Sequence, residues 1–290
     1  MEFRHILLPV DFSPRCYGVG PHVRAMAERF SATVTLYHVL ETTPLWAGAG
    51  DGAFVPYFDM PALQADAEDR LRQFALTILP GIKPTRLVEQ GEPGGCIAQL
   101  AKARGADLIM MPTHGRGVFR TALLGSTTSK VLHDSHAAVW TAAHMEEPVP
   151  VHTGWNNILC SIDLLPESIP LLQAAAQLGR NCGAKLTVVH AVPGNDVRPG
   201  KYFDQPFETF LKDYAGKEIA KLQMEAGTDF PAVPVVLEAG NISKVVRDAA
   251  LEHKADLIVI GRGVIQEFAG RLRTHAWSII RDAPCPVLSL

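Results

Sequence analysis

The chain has 290 residues, of which 27 are basic and 30 acidic, so that its formal net charge is −3. This length predicts two domains of about 145 residues, each large enough to bury a hydrophobic core. The nearly balanced charge gives no electrostatic case for nucleic acid as the main partner. No apolar run approaches the roughly 20 residues of a membrane helix, so we expect no membrane association either.

The cysteine pattern bears on the cellular compartment. The sequence has five cysteines, an odd number, and none of them forms a C-x-x-C pair. Thiols that act as small hydrophobic side chains are typical of the reducing cytoplasm, so we expect a cytoplasmic protein without a zinc site. The first residues lead directly into an apolar segment, and we therefore expect no signal peptide.

The first half alternates short apolar runs with segments of helical periodicity. The run from His5 to Ser13 predicts a buried strand that ends in an acid, Asp11. Ser13-Pro14 predicts the start of a helix through about Phe30, because Ser is a favourable N-cap and Pro suits the first turn. The same reasoning predicts strands at 33–40, 85–90, 107–111 and 137–142, and helices at 63–79, at 94–104 and from 126 onward.

A glycine-containing loop connects the strand 107–111 to the helix that follows it. The loop holds Gly115, Gly117 and Gly125, and Ser126 or Thr127 is the predicted N-cap of the helix. Small residues let backbone approach a ligand, and the start of a helix offers free N–H groups with a partial positive charge. This order of elements suits phosphate binding, although glycines also occur in ordinary loops. No Gly-Lys-Ser/Thr follows, so the loop is not a P-loop.

The second half repeats the order of the first at an offset of roughly 150 residues, which indicates a tandem duplication. The run 157–163 again ends in an acid, Asp163, and His190 corresponds to His38. We predict domains at 1–146 and 154–290, joined by a linker at 146–154.

Alternating strands and helices with short connections predict right-handed βαβ units. Each half should therefore be an α/β domain with a doubly wound parallel sheet of Rossmann-like type. Ligands of such sheets bind beyond the carboxyl ends of the strands, where the strand order reverses. Asp11 and the loop 112–126 both lie at such ends, so we expect them to face one crevice.

Both halves resemble universal stress protein domains. Nucleotide-binding members of that family carry G-x-x-G, nine residues, and then G-S or G-T. Residues 112–115 (Pro-Thr-His-Gly), the nine residues 116–124 and Gly125-Ser126 fit this motif, except that Pro112 replaces the first glycine. The resemblance implies two tandem UspA-like domains of adenine nucleotide alpha hydrolase-like fold, with an ATP site in the first.

The resemblance also implies a role for each matched residue of the first half. Pro9, Val10 and Asp11 would surround adenine and ribose, and the backbone of Val39 would contact the adenine. The phosphates would lie against the other matched residues: Pro112, His114, Gly115, Arg116, Gly125, Ser126 and Thr127. Pro112 has no N–H to donate to a phosphate. Arg116 and Lys130 are candidate basic helpers. A triphosphate also calls for a divalent cation, which we expect to be Mg²⁺ held mainly through phosphate oxygens.

The second half departs from the motif. Gly261-Arg262-Gly263 is one residue short of G-x-x-G, and Arg273-Thr274 stands where Gly-Ser would be. Either Arg262 and Arg271 bind a smaller anion there or the motif has simply degenerated. We therefore predict one ATP per chain, bound in the N-terminal domain.

The terminal strands 137–142 and 285–290 would be sheet edges, which need cover. The resemblance implies that they pair with each other, so that one chain forms an intramolecular pseudo-dimer. A further homodimer of chains is a second expectation.

Three function classes follow. The first, which we favour, is a cytoplasmic ATP-binding stress regulator whose bound state is recognised by protein partners that the sequence does not identify. The second is a nucleotide-free stress scaffold, and the third is a weak ATPase. Phosphoryl transfer needs positioned charge and an oriented nucleophile, and the sequence shows no dedicated group for either task, so we assign no catalytic residue.

Overall fold

The computed structural model describes residues 1–41, 59–115, 124–143, 155–194, 205–227, 233–262 and 274–290. Strands and helices alternate through the first half, as the hydrophobic pattern predicted. The elements in this half are β1 (His5–Pro9), α1 (Pro14–Phe30), β2 (Thr33–Leu40), α2 (Met60–Ile78), β3 (Thr85–Gln90), α3 (Pro93–Arg104), β4 (Leu108–Pro112), α4 (Ser126–Asp134) and β5 (Ala138–Ala142). No helix in the described ranges is long and apolar enough to span a membrane.

The second half repeats this order. Its elements are β6 (Asn157–Ser161), α5 (Ser168–Cys182), β7 (Lys185–Val192), α6 (Gln205–Glu225), β8 (Val235–Ala239), α7 (Ile242–Glu252), β9 (Leu257–Ile260), α8 (Thr274–Asp282) and β10 (Val287–Ser289). The proposed linker at 146–154 lies outside the described residues. The domain boundaries therefore stay a prediction.

The described strands form one ten-stranded sheet in the order β3-β2-β1-β4-β5-β10-β9-β6-β7-β8. Neighbouring strands within each half run parallel, and the strand order reverses between β1 and β4 and again between β6 and β9. This is the doubly wound arrangement that the sequence predicted for each half. Parallel strands that helices cover on both faces have continuous apolar sequences, because every side chain of such a strand is buried. In β4, Leu108, Ile109 and Met110 are all fully buried.

The two halves join through an antiparallel pairing of β5 with β10. Val287 pairs with Thr141, Leu288 with Trp140, and Ser289 with Val139. The register is symmetric about the pair Trp140–Leu288, so the two strands are related by a local twofold axis. Trp140 is 1% exposed and Leu288 is fully buried. The predicted pairing of the terminal strands is thus confirmed, and neither strand presents an open edge. A further homodimer remains a prediction.

The two halves have different residues at the C-terminal cap of the helix that precedes their second strand, although both caps are left-handed. Ser31 caps the C-terminus of α1 with φ 51°, and Gly183 caps α5 with φ 67°. A residue with a Cβ in this left-handed conformation costs roughly 1 kcal/mol more than glycine.

We therefore expect Ser31→Gly to raise the free energy of unfolding by up to about 1 kcal/mol and Gly183→Ser to lower it by a similar amount. No atom lies within 4 Å of a Cβ built on Gly183, so a steric clash does not contribute to the second variant. Urea unfolding of both variants measures the two changes. Shifts of the same sign would show that backbone strain does not distinguish these caps.

Candidate functional site

A cavity of about 690 Å³ lies beyond the carboxyl ends of β1, β2 and β4. β1 and β4 pair only at Ile6–Leu108 and Leu7–Ile109, so the two strands separate toward their carboxyl ends. The gap coincides with the reversal of strand order between β1 and β4. Doubly wound sheets bind their ligands at this position.

The cavity gathers residues that are far apart in the sequence. Among those predicted to contact a nucleotide, the cavity is lined by Pro9, Val10, Asp11, Val39, Pro112, His114, Gly115, Gly125, Ser126 and Thr127. Arg116, the other predicted residue, lies outside the described part of the chain. The structure therefore places the described members of the predicted set around one space, while their role in binding stays a prediction.

A tight turn orients the carboxylate of Asp11. Oδ1 of Asp11 accepts a hydrogen bond from the Ser13 N–H at 2.9 Å. Phe12 between them has φ 59°, and its ring packs on His38 at a centroid distance of 4.6 Å. A bulky residue in the left-handed region is strained, by about 1–3 kcal/mol, and the packing of its ring helps to hold it there. The turn fixes Asp11 at the rim of the cavity.

Gly115 lies against the other carboxylate oxygen. A Cβ built on Gly115 would come within 2.5 Å of Asp11 Oδ2. Real Cβ atoms do not approach a carboxylate oxygen so closely, so any side chain here would push Asp11 or the loop away. The Gly115 carbonyl accepts from an Arg15 guanidinium N–H at 3.3 Å, which ties the loop to α1.

The end of β2 offers backbone hydrogen-bonding groups to the cavity. The Val10 N–H donates to the Tyr37 carbonyl at 2.8 Å. The next carbonyl, that of Val10, accepts from His38 Nδ1 at 2.6 Å instead of from the backbone of Val39. Alternate residues of a strand face the same neighbour, so Val39 faces the same side as Tyr37, beyond the end of the β1 ladder, where it borders the cavity. An adenine ring presents a ring nitrogen acceptor beside an amino donor along one edge, which a backbone N–H and C=O pair can match.

The N-terminus of α4 forms the opposite wall. The prediction that Ser126 or Thr127 is the N-cap is wrong, because Gly125 occupies that position and no side chain caps the helix. The Gly125 N–H donates to the Thr113 carbonyl at 2.9 Å, and a Cβ at Gly125 would lie only 3.3 Å from that oxygen. Glycine fits this close approach, and it leaves the first-turn N–H groups of α4 without a capping side chain.

Side chains cap the starts of several other described helices, whereas α5, like α4, has no capping side chain. Ser13 caps α1, Asp59 caps α2, and both carboxylate oxygens of Glu92 accept from the first turn of α3. The contrast with α4 is useful for function, because first-turn N–H groups that no side chain takes can bind an anion.

Two prolines border the gap between β1 and β4. The Val10 N–H bonds to β2 and the Thr113 N–H bonds to Ala142 of β5. Successive residues of a strand face opposite neighbours, so the nitrogens of Pro9 and Pro112 both face the gap, where no ladder partner exists. Proline has no N–H, and neither position leaves a donor unsatisfied. The prediction that Pro112 cannot donate to a phosphate therefore agrees with its place in the fold.

The described lining of the cavity carries acids and histidines but no lysine or arginine. Its acids and histidines are Asp11, Glu41, His38 and His114. Lys130, which the sequence suggested as a phosphate helper, lies 3.4 Å from the Asp134 carboxylate and is not part of the described lining. Among the described groups, the helix N–H groups are the ones that could offset the charge of a polyphosphate, and a bound cation could add to them.

The sequence-based prediction missed part of this lining. Tyr37, His38, Glu41 and Thr128 also border the cavity. The recurrence of His38 as His190 in the second half could have indicated that this histidine matters for the site. In the structure, His190 Nδ1 likewise bonds to a carbonyl, that of Ile162, at 2.9 Å. The Thr128 hydroxyl donates to the Pro112 carbonyl at 3.1 Å, a contact across the loop that no local pattern indicates.

The comparison with known families identifies both halves. The model of the universal stress protein family matches residues 2–142 and again residues 154–290. The chain belongs to the universal stress protein family. Two matches in succession also show that it carries two universal stress protein domains in tandem.

Individual relatives agree with this assignment. The chain is 30% identical over 140 residues to a universal stress protein of Thermus aquaticus, an alignment that covers 47% of this chain and 96% of the relative. It is 28% identical over 145 residues to universal stress protein A homolog 1 of Coxiella burnetii, covering 48% of this chain and 98% of that protein. Each relative thus corresponds to one domain.

A solved structure shares the two-domain architecture. The crystal structure of a universal stress protein from Archaeoglobus fulgidus superimposes with a TM-score of 0.75 at 20% identity, and covers 100% of this chain and 98% of its own. At this identity the likeness establishes the fold and no more.

The second universal stress protein domain has a corresponding cavity of about 520 Å³. Asp163, His190 and Arg262 are among its lining residues. The Arg262 side chain is buried and donates to backbone carbonyls of the first domain, and the alternative that it binds a small anion stays a prediction. The predicted anion site also involves Arg271, and the predicted loss of the glycine motif involves Gly263 and Arg273. All three residues lie outside the described part of the chain.

His190 gives the second domain a pH dependence. Burial lowers the pKa of His190 from its ordinary 6.5, and this effect outweighs the hydrogen bond to the Ile162 carbonyl, which acts in the opposite direction. The unfolded chain takes up this proton at a higher pH than the folded protein does. The contribution of neutral His190 is therefore complete above about pH 6.5 and is lost as the pH falls below it.

We expect the free energy of unfolding to fall less between about pH 7.5 and pH 5.5 in His190→Gln than in the unchanged protein, by about 1.4 kcal/mol for each unit of pKa difference removed. Urea unfolding at both pH values measures this. An equal fall in the two proteins would rule out His190 as a source of the pH dependence.

Proposed function

We propose that this universal stress protein binds ATP in the cavity of its N-terminal domain and acts as a stress-response regulator whose nucleotide-bound state is recognised by protein partners. The supporting observation is that Asp11, the backbone of Val39 at the end of β2 and the uncapped start of α4 border one cavity at the β1–β4 switch point. Each of the three suits a different part of the nucleotide.

The adenosine part fits the β1 and β2 side. The N–H and C=O of Val39 match the donor and acceptor of an adenine edge, and the Asp11 carboxylate is placed to accept from ribose hydroxyls. Apolar side chains such as Ile97 and Leu124 border the same cavity and would cover the ring.

The phosphate part fits the α4 side. The first-turn N–H groups at Ser126 and Thr127 carry the positive end of the helix dipole, and Gly115 and Gly125 border the cavity without side chains that would occupy it. A helix end offsets only a fraction of a triphosphate charge, about 0.3–1 kcal/mol per nearby charge at exposed sites. With no lysine or arginine in the described lining, we propose that Mg²⁺ supplies the remaining positive charge, bound mainly by phosphate oxygens.

A nucleotide-free scaffold is the second candidate. Pro112 favours it, because this residue withholds one N–H from the phosphate side of the cavity. Mass spectrometry of the purified protein separates the two candidates: bound adenine nucleotide supports the first, and its absence together with no titratable binding supports the second. Sustained ATP turnover that Asp11→Ala abolishes would instead make the protein a slow ATPase.

The cellular setting is part of the same proposal. We place the protein in the cytoplasm, with domains at 1–146 and 154–290 and with homodimerisation of the pseudo-dimeric chain. The partners that recognise the bound state are proposed to be proteins, because the net charge of −3 offers no attraction to nucleic acid.

Titration calorimetry with Mg-ATP tests the location and number of sites. We expect one ATP per chain and no detectable binding to Gly125→Arg, because Gly125 has only 3.3 Å between its Cβ position and the Thr113 carbonyl and no room for a long side chain. A stoichiometry near two, or binding that survives Gly125→Arg, would place the site elsewhere.

Gly115→Ala tests the contact between the loop and Asp11. The added Cβ would stand 2.5 Å from Asp11 Oδ2, so either the carboxylate or the loop must move. We expect ATP affinity to fall about tenfold or more, equivalent to about 1.4 kcal/mol per tenfold. Gly216→Ala on α6 is the matched control, because its Cβ would make an ordinary 3.5 Å contact with Leu237 away from the cavity. Equal affinities in the two variants would contradict the assigned role of Asp11.

A further inference from the structure

Arg262 of the second domain crosses to the first. Its backbone is held at the end of β9, where the Arg262 N–H donates to the Leu290 carbonyl at 2.9 Å. Its side chain donates to the carbonyls of Ser135 at 2.8 Å and Ala137 at 2.6 Å, with a longer contact to Leu132 at 3.5 Å. The residue is only 6% exposed, so these bonds form out of contact with bulk water.

The carbonyls that Arg262 binds belong to the end of α4 and to its connection with β5. The last carbonyls of a helix have no partners within the helix and carry a partial negative charge. A buried guanidinium with several fixed donors satisfies these groups and neutralises the negative end of the helix. The positive end of the same helix, nine residues long, borders the nucleotide cavity of the first domain.

Both domains thus contact α4. At the start of the helix, Thr128 bonds to the Pro112 carbonyl and Gly125 bonds to the Thr113 carbonyl, both within the first domain. At the other end, the side chain that contacts the last turn and the connection to β5 is Arg262 of the second domain.

The two domains differ at this position. Thr113 N–H donates to the Ala142 carbonyl as Arg262 N–H donates to the Leu290 carbonyl, so the two residues are structural counterparts. Thr113 is short and makes a local hydroxyl contact with His114, whereas Arg262 is long enough to reach the partner domain. The second domain therefore has an interdomain arginine at the place where its glycine motif is shortened.

We propose that Arg262 is a positioning residue for the phosphate half of the first domain's nucleotide site, acting through α4. The inference rests on the proposed ATP function. Arg262 fixes the direction of α4 and with it the direction in which the first-turn N–H groups point. The degenerate domain thereby contributes to binding in the intact one without contacting the ligand.

This role makes a selective prediction. Asp11, which follows β1, and the Val39 backbone of β2 suit the adenosine part, and neither is part of α4. Loss of Arg262 should therefore weaken ATP but leave adenosine binding nearly unchanged. A general loss of structure would weaken both ligands together.

The experiment compares Arg262→Met, which keeps length without charge, with Arg262→Lys, whose one nitrogen replaces the two guanidinium nitrogens that contact the carbonyls. Titration calorimetry with Mg-ATP should show about a tenfold loss of affinity for Arg262→Met and a loss of about threefold for Arg262→Lys, with adenosine affinity changed less than about twofold in each. Arg281→Met is the control, because Arg281 is an exposed residue of α8 that pairs with Asp282.

Hydrogen exchange gives an independent reading. The Ser135 N–H, which bonds to the Val131 carbonyl at the end of α4, should exchange faster in Arg262→Met and should be protected further by ATP in the unchanged protein. If Arg262→Met does not fold, the Arg262→Lys values decide. Failure of the unchanged protein to bind ATP would overturn the proposed function. Normal ATP binding that is insensitive to both substitutions, or an equal loss of ATP and adenosine, would overturn the role of Arg262.

Discussion

The antiparallel pairing of β5 with β10 is the interaction on which the rest of the structure depends. It turns two five-stranded sheets into one, and its symmetric register around Trp140 and Leu288 sets the two domains in a fixed twofold relation. Two terminal edges that would each expose unpaired N–H and C=O groups satisfy one another instead. The same pairing brings the end of β9 beside the end of α4, which is why Arg262 can reach carbonyls of the other domain.

The cavity follows from the way parallel strands separate. β1 and β4 form a ladder only near their amino ends, and helices that begin beyond their carboxyl ends close the sides of the gap. Separation of strands would normally leave unsatisfied backbone donors, but Pro9 and Pro112 supply none. Val39 and the start of α4 both border the resulting cavity.

The two domains share a fold but have diverged in their sites. The strand-end acid and the histidine bonded to the backbone recur as Asp11 with His38 and as Asp163 with His190. At the counterpart of Thr113, in contrast, the second domain has a buried arginine bonded across the interface. Duplication therefore preserved what the sheet requires and left the glycine motif free to change, because the β-strand core does not depend on it.

The sequence by itself determined the order and type of the described elements, the duplication, and most of the described cavity lining. Hydrophobic periodicity, helix caps and turn residues each involve only a few neighbouring positions. The order and type of the elements can therefore be predicted from local sequence patterns. Only the tertiary structure decided that Gly125 rather than Ser126 caps α4, since the carbonyl of Thr113 occupies the space a side chain would need. It likewise decided that Thr128 borders the cavity and that Arg262 contacts the first domain. These outcomes depend on contacts between residues distant in the chain, which the hydrophobic pattern of either segment does not contain.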